Sequence, residues 1–261
     1  MKILDWSAWT AGGHDPDSSA AVTIGVFDGV HIGHRVLIDR VLSRAGELEP
    51  TVVTFRQNPK ELLHPDTFHG AVLTLRQKLE NLEESGIGTC VLIDFSGNFS
   101  KLSGTEFLSA LADGGRTRYL AVGTDFRCGH RLSTDAVSVR RIGLSLNVET
   151  EIVDPVLYHG RTVSSSRIRR AVLEGRLPDA FAMLGRPYVL DLRDLVPSVE
   201  DRFWRYDGIR QVLPPPGEYR AEASIAEEWR DTGLCVLSGE SARIEAAEGS
   251  PPRFLRFSIH G

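Results

Sequence analysis

Residues 23–34 read TIGVFDGVHIGH. The apolar run AAVTIGVF halts at Asp28-Gly29, two histidines follow three residues apart with Gly33 between them, and an amphipathic pattern, RVLIDRVLSRA, comes next. A strand therefore runs into a helix start across a glycine-rich turn. Such a junction presents unpaired backbone N–H groups and the positive end of a helix dipole, which suits a phosphate. Gly25, Gly29 and Gly33 allow the backbone to approach a ligand closely. His31 and His34 stand one helical turn apart, so both face the same anion. The alternative is a tight turn carrying two surface histidines. A zinc site is disfavoured, because no third ligand with matching spacing lies nearby.

Outward from this junction the pattern repeats. Strand-like runs AVTIGVF, TVVTF, TCVLIDF, RYLAVGTDF and VETEIVDPVLY alternate with helix-like windows HRVLIDRVLSRAGEL, LTLRQKLENLEESG and SGTEFLSALADGG. In the second window Leu75, Leu79 and Leu82 share a face, and Gly86 is a natural stop. Continuous apolar strands alternating with helices imply an α/β fold with a doubly wound, mostly parallel, Rossmann-like sheet, in which ligands sit beyond the carboxyl ends of the strands. A helical segment, SSSRIRRAVLEGRLPDAFAMLGRPY, follows; its serines are N-caps and Gly175 and Gly185 are stops. After Pro187 the character changes to LPPPGEY and short apolar runs. We therefore place a domain boundary at 187 and expect a small β-rich C-terminal domain over 188–261.

Composition bounds the partners. The 261 residues are 41% hydrophobic and 25% charged, with 30 basic and 35 acidic side chains and a net charge of −5. That balance argues against a general nucleic-acid or membrane surface. The cysteines, Cys90, Cys128 and Cys235, lie far apart without CxxC spacing, so no disulfide framework is expected. The first residues lack an apolar signal core, and no stretch approaches membrane-spanning length, so a cytoplasmic location is expected.

Four elements in order resemble one family. GVFDGVHIGH resembles the HIGH-type signature of the nucleotidyltransferase superfamily. VVTFRQNP, VGTDFRCG and VSSSRIRRAVLEGRLPDAFAMLGRPY resemble further elements of the prokaryotic FAD synthetases, whose module is an FMN adenylyltransferase. The resemblance spans residues 20–188. It implies transfer of an adenylyl group from ATP to FMN, giving FAD and diphosphate, with Mg²⁺ held mainly by ATP phosphates and water near Asn58. It implies His31, His34 and Arg169 as the catalytic groups. It implies an ATP pocket from Gly25, Phe27, Asp28, Gly29, Gly33, Asn58, Gly123, Asp125, Ser164, Ser165 and Ser166, and flavin contacts from Phe55, Phe126 and Arg127. Arg167 points elsewhere on the helix and carries less weight.

Simpler roles compete for several of these residues: helix capping for the serines, a solvated face for Arg169, and core positions for Phe55 and Phe126. Gln57 stands where the family commonly has Pro, Ser166 where it has Thr, and Cys128, read as a packing residue, where it has an aromatic. Bifunctional members continue into a riboflavin kinase domain with a Pro-Thr-Ala-Asn motif. That motif is absent after Tyr188, where LPPPGEYRAEASI resembles only a later strand, so a shortened remnant without riboflavin kinase activity is expected. A nucleotidyltransferase for another phosphorylated metabolite and a non-catalytic flavin or nucleotide sensor are the competing readings.

Overall fold

The computed structural model describes residues 1–13, 18–95, 99–200, 202–226, 228–245 and 250–258. They form two compact units, one from residues 1–65 and 78–162, the other from 66–77 and 163–261.

In chain order the first unit begins with β1 (Lys2–Asp5), α1 (Trp6–Thr10), β2 (Ala20–Ile24), α2 (Ile32–Leu42), β3 (Glu49–Phe55) and α3 (Pro59–Leu63). After the excursion into the second unit come α4 (Leu75–Glu84, its first turn still in that unit), β4 (Thr89–Ile93), α5 (Gly104–Ala112) and β5 (Thr117–Gly123). The unit closes with the short pair β6 (Arg127–Cys128) and β7 (Thr134–Asp135), then α6 (Ala136–Ser145), β8 (Glu149–Val153) and the hairpin β9 (Leu157–Tyr158) and β10 (Arg161–Thr162). Six strands form one parallel sheet in the order β1-β4-β3-β2-β5-β8. Every residue of β2 and of β4 is buried, which is why both read as unbroken apolar runs: helices cover each face of a doubly wound sheet. The order reverses at β2. The chain steps outward to β3 and β4 on one side and returns to β5 and β8 on the other. The carboxyl ends of β2 and β5 therefore flank the switch point, where such sheets bind ligands.

Two elements departed from the sequence pattern. The edge strand β1 has no buried residue along KILD, so it lacks the apolar signature of its neighbours. Helix α6 reads as an unremarkable AVSVRRIGLS, yet Asp135 caps it by accepting the Ser138 N–H at 2.9 Å. Gly143 is required there because a Cβ would meet the Thr150 hydroxyl of β8 at 2.4 Å. The run VETEIVDPVLY divides into β8 and the first strand of the β9–β10 hairpin. Helix α2 stops at Leu42, short of its window, and Gly46 takes a positive φ of 101° in the turn that follows. Along α4 the leucine face is only part of the story: Leu82 is buried, but so are Gln77 and Lys78.

The second unit holds α7 (Ser165–Leu173) and α8 (Leu177–Leu184), the latter ended by Gly185 in the left-handed conformation at φ 72°. Seven antiparallel strands follow: β11 (Val189–Asp191), β12 (Ser198–Glu200), β13 (Phe203–Tyr206), β14 (Gly217–Ile225), β15 (Glu228–Ser238), β16 (Ser241–Glu245) and β17 (Phe254–Phe257), in the order β11-β17-β14-β15-β16-β13-β12. Residue 187 lies between α8 and β11. The 66–77 segment is tied into this unit by a buried polar network. The Gln211 amide donates to the Val72 and Val189 carbonyls at 3.0 and 3.1 Å, and its oxygen accepts the Asp191 N–H at 2.7 Å. Burial alone would raise the Asp191 pKa, but bonds from Arg193 and from the Thr74 hydroxyl outweigh it and hold the carboxyl below its ordinary value.

All three cysteines are buried and unpaired with one another. Burial pushes the thiols of Cys90 and Cys235 up to about 12 and that of Cys128 to about 11, against an ordinary value of 9.0. They therefore stay neutral and unreactive in the folded chain. Unfolded, they ionise at lower pH, so their contribution to stability is fully present below pH 9 and is lost as pH climbs toward the folded values. Each thiol ionised only in the unfolded chain costs about 1.4 kcal/mol per pH unit. In urea unfolding under reducing conditions, the fall in stability between pH 8 and pH 10 should be smaller in Cys235→Ala than in the unsubstituted protein.

Candidate phosphate-binding site

Beyond Ile24 the chain makes a buried four-residue turn with unusual backbone angles. Phe27, Gly29 and Val30 all have positive φ, at 51°, 105° and 39°. For Gly29 this is easy; for Phe27, and still more for β-branched Val30, it is strained. The turn closes through a Val30 N–H bond to the Phe27 carbonyl at 3.2 Å. Both side chains are fully buried, and the Phe27 ring lies 4.9 Å from that of His34. Phe27 thus supports a histidine rather than lining an open pocket with its own face. Gly25 is needed beneath it, since a Cβ there would crowd the same ring at 3.2 Å.

The turn delivers His31 to the N-cap of α2. Its Nδ1 accepts the His34 N–H at 3.3 Å, and the Nδ1 of His34 accepts the His31 N–H at 3.3 Å. This is a capping box built from two imidazoles instead of the usual hydroxyl and carboxylate. The rings stack at 3.5 Å between centroids and 15° between planes. Because each Nδ1 accepts, each neutral ring carries its proton on Nε2. The reciprocal cap of the folded helix start thus places the proton of each neutral ring on Nε2.

Other expected residues gather around the same turn. Asp28 is buried and its carboxylate accepts from the Asn58 amide at 3.3 Å. The Asn58 oxygen caps α3 by accepting the Lys60 N–H at 3.0 Å, with Pro59 in the first helical position. Asn58 therefore orients Asp28, and its oxygen is engaged in capping. Gly33 is half-buried in the first turn of α2, and Gln57 is exposed. After β5, Gly123 turns the chain, with its carbonyl accepting the Phe126 N–H at 3.0 Å; Asp125 is exposed there. Phe126 and Phe55 are half-buried and pack against the apolar core, and Arg127 is exposed on β6 beside Asp135.

In the second unit Ser164 caps α7, its hydroxyl accepting the Arg167 N–H at 3.3 Å. Ser165 and Ser166 occupy the first turn. Arg169 is buried rather than on a solvated face. Its Nε donates to the Gly70 carbonyl at 2.7 Å and its guanidinium lies 5.0 Å from the centre of the Phe68 ring.

Lys78 is the site residue that sequence reasoning missed. In LRQKLENLEE it reads as the polar side of an amphipathic helix, yet it is 7% exposed. Its Nζ donates to the Phe55 carbonyl at 2.6 Å, the Thr54 hydroxyl at 3.3 Å and the Val26 carbonyl at 3.4 Å. Desolvation lowers its pKa from 10.5 to about 8, with Cys90 and Asp28 opposing the drop. No pattern of spacing marks such a residue, because its partners are backbone carbonyls from other strands.

A doubly wound parallel sheet with a histidine-capped helix at its switch point defines a nucleotidyltransferase domain. The comparisons specify which one: residues 14–167 match the FAD synthetase family, and the chain belongs to it. The bifunctional riboflavin kinase/FMN adenylyltransferase of Escherichia coli (strain K12) is 30% identical over 218 residues, 79% of this chain and 69% of that one. A protein of the same description from Buchnera aphidicola subsp. Schizaphis graminum (strain Sg) is 28% identical over 230 residues, 85% of this chain and 74% of that one. A crystal structure titled as a macrolide-efflux protein from Streptococcus pneumoniae shares the fold, with a TM-score of 0.82 at 22% identity over 98% of this chain and 89% of that chain.

The imidazole cap makes a prediction about stability alone. His31→Ala removes the N-cap acceptor and should destabilise the protein by about 1 kcal/mol in urea unfolding. His31→Asn retains a capping oxygen and should recover most of that loss.

Proposed function

We propose how this chain, an FMN adenylyltransferase, performs its reaction, ATP + FMN giving FAD + diphosphate. The observation that carries the mechanism is the reciprocal cap of His31 and His34, which presents two Nε2–H donors of fixed tautomer beside a strained, buried turn. An oxygen of the FMN phosphate attacks the α-phosphorus of ATP in line. The new P–O bond forms as the bond from the α-phosphorus to the bridging oxygen breaks, and diphosphate leaves with that electron pair. The attacking phosphate is already ionised, so no general base is required. Placement of the reactants and stabilisation of the developing charge supply the rate.

In this reading the Nε2–H groups of His31 and His34 donate to ATP phosphate oxygens as charge accumulates, and the amino end of α2 adds its dipole. The backbone around Gly25, Gly29 and Gly33 and the loop at Gly123 and Asp125 border the nucleotide, with the Asp125 carboxylate accepting ribose hydroxyls. Ser164, Ser165 and Ser166 at the start of α7 and the Arg169 guanidinium are the residues that the family resemblance assigns to ATP phosphates. Phe55, Phe126 and Arg127 meet the flavin. Mg²⁺ travels with ATP, held by its phosphates and by water. Asn58 already spends its oxygen on α3, so it suits orienting Asp28, the carboxylate of this loop, better than holding the ion itself. The ion's role is to neutralise phosphate charge.

Riboflavin phosphorylation is not part of this reading. Between Tyr188 and Gly217 the sequence offers Gly208 as its one glycine and no Pro-Thr-Ala-Asn element. A kinase must place a γ-phosphate, a metal and an attacking hydroxyl together. Purified protein given ATP and Mg²⁺ should convert FMN to FAD with release of diphosphate, and leave riboflavin unchanged, by chromatography of the flavins. FMN formed from riboflavin at a catalytic rate would overturn the second half of that statement. Other phosphorylated metabolites adenylylated in preference to FMN would overturn the first.

The variants connect geometry to rate. His31→Asn preserves the cap but removes one pre-organised donor, so adenylyl transfer should fall about 10²–10³-fold while the unfolding midpoint stays near that of the unsubstituted protein. Near-normal turnover in this variant would remove His31 from the mechanism.

A further inference from the structure

The C-terminal edge of a parallel sheet creates an accounting problem. Where β2 and β3 leave the sheet, their last carbonyls lose ladder partners, and buried acceptors without donors are costly. In the first unit one side chain meets this need for both strands. Lys78 donates to the carbonyl of Phe55, the final residue of β3, and to that of Val26, two residues past β2. Between them the Thr54 hydroxyl accepts from the same ammonium and donates onward to the Val26 carbonyl at 3.0 Å. Three N–H bonds of one ammonium and one hydroxyl thus join two strand ends and α4.

The position of Val26 gives this knot its significance. It is the residue directly before Phe27, where the left-handed turn begins. Strained backbone persists only where its surroundings over-determine it. Directly after the turn lies His31. Its Nδ1 accepts the His34 N–H and its own N–H meets the His34 Nδ1, and that exchange holds both neutral rings in the Nε2–H tautomer. An ammonium is also unusual in such a place. Desolvation penalises its charge, and the groups that face it are Asp28 from the turn and Cys90 from β4, the latter a thiol that burial keeps neutral. A purely structural filler would be apolar at lower cost.

We propose that Lys78 is a positioning residue for adenylyl transfer: its ammonium clamps the strand ends that flank the Phe27–Val30 turn and so holds His31 and His34 in their reciprocal, Nε2-protonated arrangement. This rests on the proposed role of the two histidines, and the test separates the two. Lys78→Met keeps the stem volume and removes the charge and all three donors. It should fold, as judged by circular dichroism, and should lower kcat about tenfold or more, in line with the loss of pre-organisation at such a site, while KM for FMN stays within about threefold.

A second readout needs no activity. Long-range ¹⁵N–¹H spectra of the imidazoles should show the Nε2–H tautomer for both rings in the unsubstituted protein, and tautomer averaging in Lys78→Met. Lys78→Arg, which retains charge and donors, should restore part of both signals. If Lys78→Met does not fold, the pH profile of the unsubstituted protein carries the test. As Lys78 loses its proton, followed by the NMR signal of its Nζ, kcat should fall in step, and a kcat unchanged across that titration would overturn the proposal. Unchanged kcat together with unchanged imidazole spectra in a folded Lys78→Met would also overturn it. Altered spectra with unchanged kcat would support the clamp and instead discard the histidines' role in transfer.

Discussion

A parallel strand that must hand its chain to a helix within a few residues, inside the protein, has few conformations available, and the turn from Phe27 to Val30 is the solution here. Three of its four residues take positive φ. The arrangement holds because each exit from it is blocked. Phe27 and Val30 have no exposed surface, Gly25 makes room beneath the Phe27 ring, Asn58 holds Asp28, and the Lys78 ammonium fastens the carbonyl at its entrance. The strain has a return. It brings His31 to the cap of α2 at an angle where two imidazoles satisfy one another's backbone N–H groups, and that exchange decides which ring nitrogen carries the proton.

The chemistry of adenylyl transfer explains why such rigidity is useful. The nucleophile is already an anion and the leaving group already a phosphate, so the protein has little covalent work to do. What it supplies is a set of donors that need no reorganisation when charge shifts. In the proposed mechanism, stacked, mutually capped histidines meet that requirement better than exposed lysines would, since each ring is fixed by a hydrogen bond at its Nδ1 and by stacking on the other, and His34 packs against the Phe27 ring as well. In the second unit Arg169 is similarly pre-set by its bond to Gly70 and its contact with Phe68, and Ser164 is committed to the α7 cap. Capping and ligand binding are compatible duties, because a helix start must satisfy its own N–H groups whether or not an anion is present.

Much of this was legible beforehand, and for identifiable reasons. The runs at Ala20–Ile24 and Thr89–Ile93 are apolar throughout because both faces of those strands are covered. The window SGTEFLSALADGG became α5, and the structure adds that a capping box of Ser103 and Glu106 fixes its start. The edge strand β1 did not, since an uncovered strand has no reason to be apolar. Helix α6 did not, because its composition is set by contact with β8 at Gly143 rather than by helix propensity. Arg169 could be placed on a helix from its spacing, but not its burial, which depends on Gly70 nearly a hundred positions away.

By itself the sequence determined the alternation of strands and helices, the position of the glycine-rich strand-to-helix junction, the identity of the two histidines and the family to which they belong. These follow from local patterns: period, glycine placement and the three-residue HxGH interval. The tertiary structure decided the rest. It set the protonated nitrogen of each imidazole, the support of His34 by Phe27, the bond between Asn58 and Asp28, and the burial of Lys78 beneath two strand ends. The first two are local to residues 27–34; the last two join residues whose only relation is that parallel strands and their helices bring them together. A buried ammonium among backbone carbonyls leaves no trace in residue type or spacing, because every residue has a carbonyl and only the fold chooses which ones are left without a partner.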